Sequence, residues 1–325
     1  MFKKTLFVIL LGLLSVCSWA QQEPYAMHYM HNLISVNPGY AGARDAISAT
    51  AIIHNQWAGF RDEVDPNQLP PGADPNSLEQ KGAKLSPNTN YITIDAPINL
   101  IHGGLGLSII QDNAGYGSMV NVNLAYAYRT SLLGGDLGIG VQAGLLNHGN
   151  DFGKIIWHTE ESIESGEQTD MLFDLGGGIY WEIPEQFYMG VSSSRLLENR
   201  GKRTLYSDAR HYFFNAGYHY ILPNRPEFML SPSVMVVYDG ATINPFVGSM
   251  LTYKGKFTGG LSYSLNNDLG VHVGVYWKNF MFGYAYGITT SKLASFGGTH
   301  EVIVNYSFKL ELEKIRKRYK NVRYL

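Results

Sequence analysis

Cysteine occurs once in the 325 residues, at Cys17, so no disulfide framework and no thiolate metal site is available downstream of it. Charge is scarce: Asp, Glu, Lys and Arg make up 16% of the chain and the net charge is −2, which excludes binding driven by a nucleic-acid phosphate backbone. After residue 20 no apolar run approaches the roughly eighteen residues that a membrane-crossing helix needs, so a helical inner-membrane protein is excluded. The G-x-S-x-G, H-E-x-x-H and G-x-x-x-x-G-K motifs are also missing. On this reading the chain is not an enzyme: no catalytic residue, cofactor or metal ligand is assigned.

What the chain does have is glycine (36 residues), tyrosine (22 residues) and alternation. Residues 1–20 carry Lys3 and Lys4, an apolar stretch from Thr5 to Cys17, and the small-residue site Ser18-Trp19-Ala20, the pattern of an export signal cleaved after Ala20. Val16 stands where a lipoprotein signal has a small residue, so lipidation of Cys17 is not the reading adopted.

From Ile47 to Phe308 apolar side chains recur at every second position in fourteen stretches. In one, Val120, Val122, Leu124, Tyr126 and Tyr128 share a face opposite Asn121, Asn123, Ala125, Ala127 and Arg129. A period of two is that of a strand with two chemically different faces. In two further stretches Leu105, Leu107 and Ile109, and then Leu137, Ile139, Val141, Ala143 and Leu145, oppose faces made largely of glycine (Gly104, Gly106, Gly138, Gly140, Gly144). An inward glycine face leaves room for something to approach the wall.

The connections sort by length. Those spanning 58–88, 147–170, 194–211 and 287–299 are long and follow odd-numbered strands, whereas the turns near Leu132–Asp136, Ile183–Gln186, Lys254–Lys256 and Lys278 are tight. Long outer loops and short periplasmic turns mark outer-membrane barrels, and closure of an even strand number leaves no unpaired edge in hydrocarbon. The predicted fold is therefore all-β, a closed antiparallel transmembrane β-barrel of about 14 strands over 47–308. A soluble β-sandwich shares the alternation but not the loop asymmetry or the export signal.

Two segments fall outside that barrel. Residues 21–46, with Tyr25, Tyr29, Tyr40 and the turn Asn37-Pro38-Gly39, are expected to plug the barrel or cap its periplasmic mouth. Residues 309–325 carry Lys309, Lys314, Arg316, Lys317, Arg318, Lys320 and Arg323 against Glu311 and Glu313, a basic tail read as periplasmic; an even strand count places both termini there. Lys314, Arg316, Lys317, Arg318, Lys320, Arg323 and Tyr324 are the candidate partner-binding residues. His158, Glu160 and Glu161, and separately Asp62, Glu63 and Asp65, are read as solvated outer-loop residues rather than ligand cages. The loop Arg195–Arg210 is basic enough to attract anionic polysaccharide or an acidic partner but is read first as an ordinary solvated loop, and His211 and His219 lie near Ser192–Ser194 in strand order.

Several blocks of sequence carry a resemblance. Tyr29-Met30-His31-Asn32, Asn37-Pro38-Gly39-Tyr40-Ala41-Gly42, Asn55-Gln56-Trp57-Ala58-Gly59-Phe60, Gly104-Leu105-Gly106-Leu107-Ser108 and the closing Val322-Arg323-Tyr324-Leu325 resemble the PorP/SprF family of type IX secretion system membrane proteins of Bacteroidetes. The resemblance covers essentially the whole chain and departs from the family in the Pro-rich stretch Asp65–Ser86. It implies an outer-membrane component of type IX secretion and gliding motility that helps export or anchor a secreted adhesin. Its expected partners are that surface protein, periplasmic and outer-membrane secretion components, and the lipid and lipopolysaccharide of the outer membrane. Asn37, Pro38, Tyr40, Gly42, Asn55, Gln56 and Trp57 are the family-motif residues to locate. A channel or transporter for small molecules is the alternative reading of the barrel.

Overall fold

Burial in this chain is the reverse of that in a water-soluble protein. In the computed structural model Leu124 is 65% exposed and Val141 61% exposed, while Ser48, Thr50, Thr93, Asn123, Gln142, Asn215 and Asn305 are buried. Exposed aliphatic side chains and enclosed polar ones are the expected arrangement when the surrounding solvent is hydrocarbon and the interior must satisfy polar groups. The structure describes residues 24–60, 85–151, 167–204, 206–265, 268–290 and 297–309.

The wall comprises β1 (Ala46–Asn55), β2 (Asn88–Ile98), β3 (Gly103–Ala114), β4 (Gly117–Leu132), β5 (Gly135–Asp151), β6 (Glu167–Ile183), β7 (Phe187–Ser194), β8 (His211–Tyr218), β9 (Tyr220–Leu222), β10 (Arg225–Tyr238), β11 (Ile243–Tyr253), β12 (Phe257–Ser264), β13 (Asp268–Trp277), β14 (Phe280–Thr289) and β15 (Thr299–Lys309). β8 and β9 both pair with β10 and form one crossing interrupted at His219, so 15 strands make 15 − 1 = 14 crossings. The strands pair antiparallel in chain order, and β15 returns to β1 in a register running from Ala46 opposite Lys309 to Asn55 opposite His300. Every ladder group therefore finds a partner within the wall, as backbone in hydrocarbon requires. The closing seam carries a side-chain bond as well: the Asn305 amide donates to Thr50 Oγ1 at 2.8 Å and to Ser48 Oγ at 3.0 Å.

The two rims differ. One holds the tight turns, including Leu133-Gly134 and Lys254-Gly255, where both residues have positive φ as a two-residue hairpin turn demands. The strand ends that bound 56–87, 152–166, 195–210 and 290–298 lie at the other, the asymmetry that in outer-membrane barrels goes with a periplasmic first rim. Exposed rings gird both ends of the wall, with Tyr128, Tyr220, Phe257, Trp277 and Phe308 near the tight turns and Tyr212, Tyr238, Tyr263 and Tyr286 toward the long loops. Aromatic side chains favour these depths because a ring tolerates both acyl chains and headgroups.

The wall differs in detail from the sequence expectation. The second strand spans Asn88–Ile98, and the third runs from Gly103 to Ala114, past the alternation read over Leu105, Leu107 and Ile109. The added residues include Asn88, Asn90, Asp112 and Asn113, whose polar outer ends obscure alternation while the ladder itself continues. Conversely the first strand stops at Asn55, because Trp57 has φ of 46° and turns the chain out of the ladder. Substituting an arginine for Leu124 on the lipid face should cost about 2–4 kcal/mol of folding free energy in a bilayer. Urea titration of vesicle-inserted protein would measure it; an unchanged midpoint would contradict the assignment of that face to lipid.

Candidate functional site

The inward face of this wall is occupied by the chain itself. Residues Pro24–Asp45 pass through the lumen as three single-turn 3-10 helices, Tyr29–His31, Leu33–Ser35 and Pro38–Tyr40, joined without a regular ladder. Asn37 starts the third: its Oδ1 accepts from Gly39 N at 2.9 Å, and Pro38 supplies the fixed φ of a first helical position. Three apolar clusters then knit segment to wall: Leu33, Ile34, Tyr40 and Ala41 against Ala125, Ala127, Tyr180 and Tyr188; Ala26 against Ile52, Tyr91, Met281 and Ile303; and Tyr29 against Phe213, Met235, Val237 and Phe246.

Glycine makes the closest of these approaches possible. A methyl group on Gly140 would lie 2.3 Å from Gly39 N, and one on Gly178 would lie 2.3 Å from Asn37 Oδ1. Backbone cannot yield to such an overlap, so the smooth inward faces of β5 and β6 are the seat of the Asn37–Gly42 turn. The Asn37 amide completes the contact by donating to the Ile179 carbonyl at 3.1 Å, and Gly42, at φ 69°, donates its N–H to Asp95 Oδ2 at 3.3 Å.

Polar anchors hold the rest. Glu301 of β15 is 0% exposed, and its carboxylate accepts from Met27 N and His28 N at 2.7 Å each. The same two oxygens meet His28 Nδ1 at 2.6 Å and His54 Nδ1 at 2.7 Å. One buried carboxylate thus joins the segment to both β1 and β15, and its charge is balanced by four donors. Further along, Thr93 Oγ1 donates to Asn32 Oδ1, Ser192 Oγ donates to the Val36 carbonyl, and Tyr29 shares a hydrogen bond with Ser233. Arg44 donates to Ser48 Oγ at 3.1 Å and lies 5.8 Å from the Tyr40 ring centre. Burial pushes the phenols of Tyr29 and Tyr40, which lie outside the wall strands, up to about 12. It also holds His31 well below the ordinary imidazole value, so all three are neutral at pH 7.

The two sequence motifs therefore sit in different places. Asn37, Pro38, Tyr40 and Gly42 are inside the barrel against glycine, while Asn55, Gln56 and Trp57 form the outer rim. There the Asn55 side chain meets Asn88, Gln56 N bonds the Pro87 carbonyl, Ala58 N reaches Gly298, and Trp57 packs edge-on to Phe60. The segment runs from one rim to the other. Asp45 lies among the tight-turn residues, but Pro24 shares a cavity with Gln56, Trp57 and Pro87 at the long-loop end. The anchor at Glu301 fixes this direction, because it takes the amides of Met27 and His28 to the half of β15 nearest that rim.

The remaining candidates are more ordinary. Lys314, Arg316, Lys317, Arg318, Lys320, Arg323 and Tyr324 lie outside the described residues, as do Asp62, Glu63, Asp65, His158, Glu160, Glu161 and the export signal. Within the basic loop Arg195 is buried with its guanidinium on Asp208 and Tyr206 and Arg210 lies 3.7 Å from Glu198, while Arg200, Lys202 and Arg203 are exposed. Ser192 and Ser193 donate to the carbonyls of Val36 and Ser194, and His211 meets the Ala209 carbonyl. Two Ser–His contacts do occur, Ser231–His219 at 2.9 Å and Ser262–His272 at 2.7 Å. In the second, Nδ1 has no hydrogen-bond partner, so the group that would orient a catalytic base is missing.

The chain direction is testable because Cys17 is the sole cysteine. With single cysteines at Pro24 and at Asp45, a membrane-impermeant maleimide applied to intact cells should label the first and spare the second. The reverse pattern would contradict the direction.

Among solved structures the chain is similar to a Pseudomonas aeruginosa FadL homologue (10% identity, 84% of this chain and 92% of that chain, TM-score 0.45). It is also similar to the Ralstonia pickettii toluene transporter TbuX (11% identity, 87% and 93%, TM-score 0.46) and the Acinetobacter baumannii outer membrane protein Omp33 (9% identity, 81% and 99%, TM-score 0.42). None of the curated proteins matches the sequence. The family described as Type IX secretion system membrane protein PorP/SprF matches residues 18–306. A closed wall of fourteen crossings, apolar outward, together with that match places the protein in the outer membrane. The chain belongs to the PorP/SprF family of type IX secretion system membrane proteins.

Proposed function

We propose that this barrel is a non-enzymatic holder in the type IX secretion and gliding machinery, which helps export or anchor a secreted surface protein, an adhesin, and joins it to periplasmic components. The observation that carries this reading is the lumen filled by Pro24–Asp45. A conduit selected for permeation leaves its interior polar and wet, whereas here three apolar clusters and a fully buried carboxylate tie the segment to opposite sides of the wall. A filled cylinder is a stiff platform. Its two rims present different surfaces, one made of long loops and the other of tight turns from which the basic tail 309–325 leaves beside β1.

In this reading the outer rim meets the secreted partner, and Lys314, Arg316, Lys317, Arg318, Lys320, Arg323 and Tyr324 meet acidic surfaces of secretion components in the periplasm. The charge of the tail supports that role, since clustered lysine and arginine give salt-sensitive attraction to acidic surfaces. Truncation after Lys309 should leave the barrel inserted and heat-modifiable on electrophoresis, while the amount of the surface partner on whole cells falls severalfold. Normal surface display and gliding with the tail removed would refute the tail's role. Display that depends on the barrel but not on the tail would leave the platform standing and move the periplasmic contact to the tight-turn rim.

A further inference from the structure

At the long-loop end of β8 the lipid face finishes in a pair of tyrosines. Phe214 and Val191 stand opposite each other as exposed apolar side chains. Tyr212, two residues beyond Phe214, lies opposite both Ser193 of β7 and Tyr238 of β10. The Tyr212 and Tyr238 rings are exposed, 23° from parallel, with centroids 6.1 Å apart. Rings so placed sit at the depth of lipid headgroups. Two residues further toward the loops, about 7 Å at the rise of a strand, comes Arg210.

Arg210 is held at that boundary from two sides. Its Nη1 donates to Tyr212 Oη at 3.5 Å, and its Nη2 donates to the Leu196 carbonyl at 3.1 Å. Leu196 N in turn donates to the Leu175 carbonyl at 3.0 Å, and both leucine side chains are exposed. The guanidinium therefore lies at the edge of the apolar band. It lines one depression of about 460 Å³ together with Glu198, Arg200, Tyr212, Tyr238 and Asp239. The charged groups there are accessible: 36% of the Arg210 side chain and 54% of the Glu198 side chain are open, and Arg200 is exposed. Other carboxylates nearby are already engaged. Asp208 holds the buried Arg195, and Asp239 accepts from Ala241 N, Thr242 N and Thr242 Oγ1 at 3.0, 2.6 and 2.7 Å. Glu198 stands 3.7 Å from Arg210, beyond hydrogen-bond reach, so a ligand can come between them.

Chemistry and place narrow what fits. A bare phosphate would meet the guanidinium groups but would also face Glu198 and leave the rings unused. A neutral sugar would use Glu198 and the rings but leave two guanidinium groups without an anion. A phosphorylated sugar answers all of them: its phosphate meets Arg200 and Arg210, its ring lies against the tyrosines, and a hydroxyl or amide donates to Glu198. The exposed Leu196, Val191 and Phe214 immediately below continue the site into an acyl-chain surface. We propose that the depression between Arg210 and Tyr238 binds the phosphorylated saccharide headgroup of a glycolipid in the outward leaflet, with acyl chains lying along β7 and β8. This rests on the outward orientation of the long-loop rim and not on the secretion role.

Native mass spectrometry of the purified full-length protein in detergent tests the site. The probes are bisphosphorylated lipid A and, as an anionic lipid without a sugar, phosphatidylglycerol. Lipid A should be bound at least about tenfold more tightly than phosphatidylglycerol. Arg210→Gln and, separately, Arg200→Gln should each remove most of that preference, and Tyr238→Leu should lower it severalfold, with heat-modifiability showing that the variants fold. Lys254→Gln removes a cation that lies 5.2 Å from the Tyr253 ring at the opposite rim, and it should leave the preference unchanged. Equal binding of the two lipids, a preference that survives both arginine substitutions, or an equal loss in Lys254→Gln would each overturn the proposal. Displacement of lipid A by an equal concentration of inorganic phosphate would assign the depression to the free anion and overturn it too. None of these outcomes alters surface display of the secreted partner, so failure here is distinguishable from failure of the platform reading.

Discussion

A carboxylate with no exposure to solvent, Glu301, is the point on which this structure turns. It sits on the strand that closes the barrel, and it gathers two backbone amides of the lumenal segment with the imidazoles of His28 and His54. An ionised carboxylate in such a place is tolerable only when its lone pairs are filled, so the wall strand and the segment need each other. Without the segment, Glu301 and His54 would face an empty lumen. Without Glu301, the amides of Met27 and His28 would be buried with nothing to accept them.

Packing extends this dependence down the barrel. Below the anchor the Asn37–Gly42 turn lies on a floor of Gly138, Gly140 and Gly178, where no other residue would let two backbones meet so closely. Polar anchoring near the outer mouth and steric fit near the periplasmic half act on one continuous stretch of chain, so loosening either end exposes apolar surface in the middle. The result is a wall adapted to lipid outside and to its own sequence inside. A lumen crossed by its own chain in this way supports the proposed role of holding a partner.

Much of the wall was legible in the sequence because a period of two is a direct consequence of strand geometry, and the contrast between long and tight connections follows from topology. The glycine faces of β3 and β5 were legible as room for an approach, and the occupants prove to come from the same chain: Pro38 and Gly39 against β5, Ile34, Ala41 and Gly42 against β3. What the sequence does not display is distance. Glu301 and His28 are 273 positions apart, and nothing local marks Glu301 as a hub except that it shares the inward parity with Ile303, Asn305 and Ser307 in a strand whose one other charged residue of the Asp, Glu, Lys and Arg set is Lys309 at its end. The run of the lumenal segment from one rim to the other is invisible for the same reason, since a lead-in before the first strand is most simply drawn on the side where that strand begins. In the loop Arg195–Arg210 composition alone does not separate Arg195, whose guanidinium is spent on Asp208 within the fold, from Arg200, Lys202 and Arg203, which stay exposed.

The account stands on the lumen being sealed by a segment that Glu301 retains, and single-channel conductance across a planar bilayer measures that directly. The purified parent protein should be electrically silent, and Glu301→Ala should show frequent openings as Pro24–Asp45 loses its hold. A parent protein that conducts steadily, or a variant as silent as the parent, would contradict it.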